Sequence, residues 1–293
     1  MLHDDDLPKA AVARVDRRTM LSAAGAGTVA IGALALAAVP GPAAAQGIND
    51  VAIANFALNF EYLGAELYAR ALGISLSTAD TTGGNGVGSG GVIGGRPVSF
   101  DTPLVQQLIA QFYKDELGHV RTLRTVLGAN AIAEPRIDLQ NSFAAIAQLA
   151  GLGAGFDPFA NENNLLLASF SIEDVCVTAL RGAAPLVQNR QILTTAAGFL
   201  AVEGYQAAAA RSLLFQRGLG LQTVAISNVR KSLSGANDDQ GVINPDGTAN
   251  VTPTDANSLV FARNTRQILN IAYGAQNASA GGFFPSGVNG TIR

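Results

Sequence analysis

Four long stretches of this chain place apolar residues at helical spacing, and each carries a glutamate near its middle. The four residues are Glu61, Glu116, Glu173 and Glu203. Strand-type alternation is nearly absent, and long helices joined by short breaks predict an all-α bundle. A carboxylate buried in such a bundle is costly unless it is paired or bound to a metal. The pattern therefore constrains both the fold and the chemistry of its interior.

Capping and breaking residues set the limits of the predicted helices. Asn49 can cap the first helix, and Gly73 ends it. Ser99 and Asp101 can cap the second, with Pro103 in its first turn. The long helices are predicted over residues 49–72, 101–127, 162–181 and 188–217, and shorter ones over 143–149, 223–233 and 255–273.

Two glycine- and turn-rich regions interrupt the helices. Residues 83–95 are rich in glycine, but no Gly-Lys-Ser/Thr closes the segment, which disfavours phosphate binding. A flexible surface loop is predicted there instead. A second turn-rich region covers residues 235–254.

The composition excludes several classes of protein. Of 293 residues, 48% are apolar and 14% charged, which is incompatible with a disordered chain. The net charge is -3 and no basic stripe is present, so nucleic-acid binding is not expected. Cys176 is the only cysteine, so no intramolecular disulfide can form.

The first 45 residues have the order of a signal peptide. The pair Arg17-Arg18 precedes an apolar run over residues 22–39, and Ala43-Ala44-Ala45 offers small residues for cleavage. The paired arginines predict the twin-arginine pathway, a mature chain starting near Gln46, and a periplasmic or extracellular location. An uncleaved anchor is the alternative, but the run falls short of the roughly 20 residues that span a bilayer. No later segment is long and apolar enough to span a membrane.

The second predicted helix carries Glu116 and His119 at a spacing of three, about 60° apart around the helix axis, so both can face one point. Four-helix carboxylate proteins hold two irons or manganeses with a Glu from each of two helices and Glu-x-x-His from each of the others. This chain presents Glu61, Glu116-x-x-His119, Glu173 and Glu203-x-x-Gln206 in that order.

The sequence resembles the ferritin-like domain family that includes the desiccation-related proteins, from about Gly47 to the C-terminus. The motifs that carry the resemblance lie at residues 55–63, 116–120, 172–175, 181–185 and 281–285. The resemblance implies a ferritin-like four-helix bundle over residues 46–234, with additional helices and a loop-rich tail over 235–293 packed on it. It also implies a site for one or two Fe or Mn ions.

The predicted site is incomplete. The resemblance leads us to expect histidine at 206 and an aromatic residue at 180, where the chain has Gln206 and Leu180. His3 would leave with the signal peptide, so His119 would be the only histidine of the mature chain. Imidazole is the stronger donor for such ions, so one ion is predicted to bind tightly near His119 and the second loosely or not at all. The candidate ligands are Glu61, Glu116, His119, Glu173, Glu203 and Gln206.

Other readings of these residues remain open. The glutamates could form a buried polar cluster without metal, whereas a Ser-His-Asp hydrolase is disfavoured because no Gly-x-Ser-x-Gly elbow is present. Glu66 should face away from Glu61, at the surface or against a loop. Tyr62, Tyr68, Tyr113 and Tyr205 are predicted as core or interface aromatics, and Cys176 as a small buried hydrophobe.

Two functions follow from these expectations. The first is an exported metal-binding protein with an oxidative or desiccation stress role, with iron oxidation or peroxide removal as its chemistry. The second is a metal-free structural or stress-protective protein of the same fold. The sequence leaves the oligomeric state open, a homo-oligomer included.

Overall fold

The computed structural model describes residues 49–293, and the signal peptide predicted over residues 1–45 lies outside them. The described residues contain the α-helices α1 (Asp50–Ala71), α2 (Thr78–Thr81), α3 (Pro103–Leu127), α4 (Asn141–Leu149), α5 (Glu162–Ala183), α6 (Arg190–Gln216), α7 (Gly220–Ser234) and α8 (Thr265–Tyr273). Two short strands, β1 (Val92–Ile93) and β2 (Ile137–Asp138), pair in parallel. The predicted all-α class is confirmed.

The four long helices α1, α3, α5 and α6 form the bundle. α1 packs along α3, and α5 packs along α6. α1 is buried over almost its whole length, with Leu58, Leu67 and Tyr68 fully covered. Burying a leucine side chain stabilises the fold by about 1.5–3 kcal/mol, so α1 contributes strongly to the core. Among the helices of residues 49–293, none combines the length and apolarity that a bilayer crossing requires.

Local signals place the start and end of α1 as predicted. The side chain of Asn49 accepts a hydrogen bond from Ala52 N at 2.9 Å, which satisfies one of the free amides of the first turn. Gly73 follows the helix with φ +74°, a conformation that favours glycine. The sequence therefore specifies this element locally.

The cap of α3 differs from the prediction. Thr102, not Ser99 or Asp101, is the N-cap, and its side chain does not bond to the helix. Instead Thr102 N and Oγ1 donate to the carboxylate of Glu162 at 2.6 and 2.9 Å. Glu162 is buried in the first turn of α5, where its carboxylate requires hydrogen-bond donors, so Thr102 bonds to Glu162 and not to its own helix. This contact joins the start of α3 to the start of α5.

The glycine-rich segment 83–95 lies at the surface as predicted, but it is held by backbone hydrogen bonds. Gly84 N donates to Ala131 O at 2.8 Å and Gly90 N to Glu134 O at 2.9 Å. A Cβ on Gly90 would lie 2.3 Å from Arg136 N, so glycine permits this close approach. The short strand β1 within this segment was not predicted from the sequence.

The last helix is shorter than predicted. The pattern suggested a helix over 255–273, but α8 begins only at Thr265. Asn264 and Gln267 form a capping box that starts the helix there. Upstream, Ser258 adopts φ +60° and Arg263 N donates to Thr178 O at 3.0 Å, so contacts with α5 override the helical pattern.

Three buried arginines attach the segment after α7 to the bundle, and they were not predicted from the sequence. Their partners are aspartates from α5 and from the turn after α7, at N–O distances of 2.7 to 3.0 Å. We call this set the arginine–aspartate network; its members are Arg211, Arg230, Arg263, Asp174, Asp238 and Asp239. Each arginine is at most 2% exposed.

Candidate metal centre

The four glutamates predicted to face the interior all do so. Glu61 lies on α1, Glu116 on α3, Glu173 on α5 and Glu203 on α6, and each is at most 4% exposed. One carboxylate from each bundle helix therefore lies in the core, where an unpaired charge is costly.

His119 points a ring nitrogen at three of these carboxylates. Its Nδ1 lies 3.0 Å from Glu61 Oε2, 3.2 Å from Glu203 Oε1 and 4.0 Å from Glu116 Oε1. The ring of Phe199 stacks on the imidazole of His119, with ring centroids 4.0 Å apart and ring planes at 30°. The phenyl ring thereby limits the orientations open to the imidazole.

These four side chains can offer ligand atoms to a single ion. One atom from each of Glu61, Glu116, His119 and Glu203 lies within 4.8 Å of the others. Two ligands bound about 2.1 Å from one ion at right angles are about 3.0 Å apart, which is close to the nitrogen–oxygen separations seen here. We call these four residues the histidine half of the site.

The remaining predicted ligands, Glu173 and Gln206, lie next to each other, and Gln206 also contacts Glu116. The amide nitrogen of Gln206, turned towards the carboxylates, lies 3.2 Å from Glu173 Oε2 and 3.0 Å from Glu116 Oε1. The opposite orientation would set the amide oxygen against carboxylate oxygens. Tyr68 donates its hydroxyl to Glu173 Oε1. We call Tyr68, Glu173 and Gln206 the glutamine half.

The two halves differ in how their oxygens are satisfied. Both oxygens of Glu203 are buried and accept no hydrogen bond from residues 49–293. Each oxygen of Glu173, in contrast, accepts one, from Tyr68 or from Gln206. A buried carboxylate oxygen without a hydrogen-bond donor is rare in proteins, and both oxygens of Glu203 keep lone pairs that a cation could use.

The buried acids and His119 shift one another's protonation in both halves of the site. Burial raises the pKa of Glu61, and it raises the pKa of Glu116 and Glu173 well above 4.5, with repulsion from Glu203 adding to the last two. Burial opposes the charged form of His119, but the neighbouring carboxylates outweigh it and raise the pKa of His119 to about 10. The cluster therefore favours the positively charged imidazolium form of His119.

Three residues of the site were not assigned to it from the sequence. A Cβ on Gly64 would lie 2.4 Å from Glu116 Oε2, so glycine leaves room for that carboxylate. Tyr68 was expected only in the core. Helical spacing was the available signal: Gly64 and Tyr68 follow Glu61 by three and seven residues, and Phe199 precedes Glu203 by four.

Three further expectations agree with the structure only in part. Glu66 lies against a loop, which is one of its two predicted positions, and not at the surface; it is buried, pairs with Arg70 at 2.8 Å and faces the loop residue Glu134. Tyr205 is 75% exposed, which excludes a core position and leaves the predicted interface position. Cys176 is only partly buried, although it packs against the core as a small apolar residue would.

Comparison with known proteins agrees with this architecture. The chain is 31% identical to the desiccation-related protein PCC13-62 of Craterostigma plantagineum, over 83% of each chain. It is 29% identical to the ferritin-like catalase Nec2 of Nesocodon mauritianus, over 83% of this chain and 84% of the relative. No solved structure gave a significant match.

The match to a protein family covers the four helices of the bundle. Residues 49–216, which run from the cap of α1 to the end of α6, match the ferritin-like domain. That span is more than half of the chain and contains every residue of both halves of the site. The chain belongs to the ferritin-like domain family.

Proposed function

We propose that this protein is an exported ferritin-like protein that binds iron or manganese in the histidine half of its site. The observation that carries the proposal is the pair of buried Glu203 oxygens that accept no hydrogen bond from the described residues, one of which lies 3.2 Å from His119 Nδ1. Glu61 and Glu116 bring two further carboxylates to the same point. Carboxylate oxygens suit manganese and imidazole suits iron, so this donor set fits either ion.

The names of the relatives favour a role in stress protection. One relative is called a ferritin-like catalase and the other a desiccation-related protein. Iron or manganese would supply redox chemistry towards peroxide or oxygen species. Peroxide removal is therefore the activity that we propose to test first, with iron oxidation second.

The protein's own residues would control charge and protons at this site. Burial raises the pKa of Glu61 and Glu116, so these groups hold protons more readily than exposed glutamates when no cation is present. Ligands bind metal in their deprotonated form, so metal uptake would release protons. Phe199 would keep the imidazole of His119 turned towards the carboxylates.

Elemental analysis of protein purified from the exported fraction tests the proposal. We expect bound Fe or Mn, consumption of added hydrogen peroxide, and loss of both in His119→Ala. Gly118→Ala is the matched control, because Gly118 is the exposed neighbour of His119 and an added Cβ meets nothing within 4 Å. Wild-type protein that contains neither ion, and takes up neither when it is supplied, would exclude this function.

A metal-free protective protein is the second candidate, and one observation favours it. The carboxylates raise the pKa of His119 to about 10, so an imidazolium could itself supply a positive charge to the cluster. This candidate predicts that Fe and Mn leave the melting temperature of the wild-type protein unchanged. A rise in melting temperature that His119→Ala abolishes would exclude it.

Export is a separate part of the proposal and rests on residues 1–45, outside the described structure. The double change Arg17→Lys and Arg18→Lys should leave an unprocessed precursor in the cytoplasm. Wild-type exported protein should begin at or near Gln46 on N-terminal sequencing. Exported protein that retains Met1 would contradict cleavage.

A further inference from the structure

The glutamine half offers hydrogen-bond donors where a second ion would need ligands. Resting on the proposed function, we infer that the site is mononuclear and that Gln206, with Tyr68, takes the place of a second metal. Related four-helix carboxylate sites hold two ions with matching sets of ligands on facing helices. Here the two sets differ in chemistry as well as in number.

The first step concerns Glu173, the carboxylate that a second ion would need most. Its Oε1 accepts the hydroxyl hydrogen of Tyr68, and its Oε2 accepts an amide hydrogen of Gln206 at 3.2 Å. Glu173 is 1% exposed, and protein donors already satisfy both oxygens. A metal ion here would have to compete with these two hydrogen bonds for the oxygens of Glu173.

The second step concerns Gln206 itself. In the orientation that these contacts require, the amide nitrogen faces the site, and an amide nitrogen has no lone pair to donate to a metal. The same NH2 group reaches Glu116 Oε1 at 3.0 Å, so one amide bridges the carboxylates of α3 and α5. Gln206 is thus placed as a hydrogen-bond donor and not as the weak ligand that its spacing suggested.

The third step is the contrast with the histidine half. Glu203 lies three residues before Gln206 on α6, yet neither of its oxygens accepts a hydrogen bond within residues 49–293. Over this described part of the chain, the protein therefore supplies a hydrogen-bond donor to each oxygen of Glu173 and none to the oxygens of Glu203. One ion satisfies the open oxygens, and a second has no unsatisfied oxygen on Glu173 to bind.

This assignment defines the roles of the glutamine half. Tyr68 and Gln206 are positioning residues that hold Glu173 and, through the shared amide, Glu116. A substrate such as peroxide would meet a single ion next to the hydrogen-bonded side chains of Tyr68, Glu173 and Gln206. Chemistry that needs a substrate held between two ions is not available to such a centre.

Manganese titration with a spectroscopic readout tests the inference. Apo wild type should bind about one Mn²⁺ per chain and give the paramagnetic resonance spectrum of an isolated ion. Gln206→His and Gln206→Glu each replace the donor by a ligand, and should bind about two ions with a spectrum altered by coupling between them. Tyr205→Ala, a change at the exposed neighbour, should still bind about one.

The outcomes separate this inference from the function on which it rests. Two coupled ions in the wild type would overturn the mononuclear site and leave the proposed metal function standing. Folded Gln206 variants that both still bind about one ion would show that Gln206 does not exclude the second. No binding by any of the proteins, with circular dichroism confirming helical folds, would instead reject the proposed function.

Discussion

Two buried polar clusters lie on either side of α5, and neighbouring residues of that helix enter each one. Glu173 faces the carboxylate site, whereas Asp174 accepts from Arg211 at 2.8 Å and from Arg230 at 3.0 Å in the arginine–aspartate network. The network brings together three arginines and three aspartates. The site brings together four glutamates and one histidine.

The comparison shows two ways to bury charge in one fold. Guanidinium groups stay protonated and present fixed N–H donors to carboxylates. The positive charges of the three arginines therefore balance the negative charges of the three aspartates within the network. The site has more acids than cations, and the oxygens of Glu203 accept no hydrogen bond from the described residues. An excess of buried acid can be stabilised by protons or by a metal ion. We therefore infer that the network is structural, and we propose that the site accepts a cation.

Breaking the network should have the largest effect on stability. Asp174→Asn removes the charge that Arg211 and Arg230 share, and leaves those buried cations short of a partner. We expect a loss of about 3–5 kcal/mol in the free energy of unfolding, measured by urea titration. The matched change is Glu173→Gln, one residue away, which removes a charge from the acid-rich cluster.

Glu173→Gln should cost the apo protein far less than Asp174→Asn, because burial already favours a neutral group at this position. Equal losses in the two variants would mean that both clusters depend on charge in the same way. The proposed distinction between them would then be wrong.

Crowding the site should have an intermediate effect. A Cβ on Gly64 would lie 2.4 Å from Glu116 Oε2, so Gly64→Ala should displace that carboxylate and cost about 1–3 kcal/mol. It should also weaken manganese binding in a titration. Gly204→Ala is the control, since its Cβ meets nothing within 4 Å and alanine is favoured in helices. Unchanged binding by Gly64→Ala would show that the position of Glu116 is not critical.

The pH dependence of the apo protein should be the most distinctive effect. Because burial raises the pKa of Glu61, Glu116 and Glu173 above 4.5, the folded state binds more protons than the unfolded state above that pH. The free energy of unfolding, measured in the presence of a chelator, should therefore fall as pH rises. His119 acts in the same direction, from 6.5 up to its raised pKa of about 10.

Urea titrations in chelator between about pH 5 and pH 8 measure this slope. Asp174→Asn should shift the curve downwards without removing the slope, because arginines do not titrate in that range. Stability of apo wild type that rises with pH would contradict the assigned environment of the carboxylates.

The sequence was sufficient to predict the bundle and most of the site, because both follow from helical spacing. Glu116 and His119 lie on one face of a helix whatever surrounds it, and Asn49 and Gly73 act locally on the ends of α1. The roles of Gly64 and Gln206 were harder to predict from the sequence. Each depends on the distance to a carboxylate of another helix, which spacing within one helix does not give.

The arginine–aspartate network was missed for a related reason. Asp238 and Asp239 lie in a turn-rich stretch that carries no helical pattern, and their contact with Arg263 depends on how that stretch folds back. The same contact holds Arg263 outside the helix, directly before the capping box of Asn264 and Gln267 at which α8 starts. Local periodicity alone does not show that the residues before Asn264 are held by a buried ion pair.

The central claim is that a metal ion neutralises the excess acid of the carboxylate site, whereas in the network three arginines of the protein balance the charge of three aspartates. The most direct measurement is the unfolding free energy of apo wild type, Asp174→Asn and Glu203→Gln at neutral pH, with and without Mn²⁺. At an ion concentration 100-fold above the dissociation constant, we expect wild type and Asp174→Asn to gain about 2.7 kcal/mol each, and Glu203→Gln to gain little. Unfolding curves of wild type that coincide with and without the ion would contradict the account.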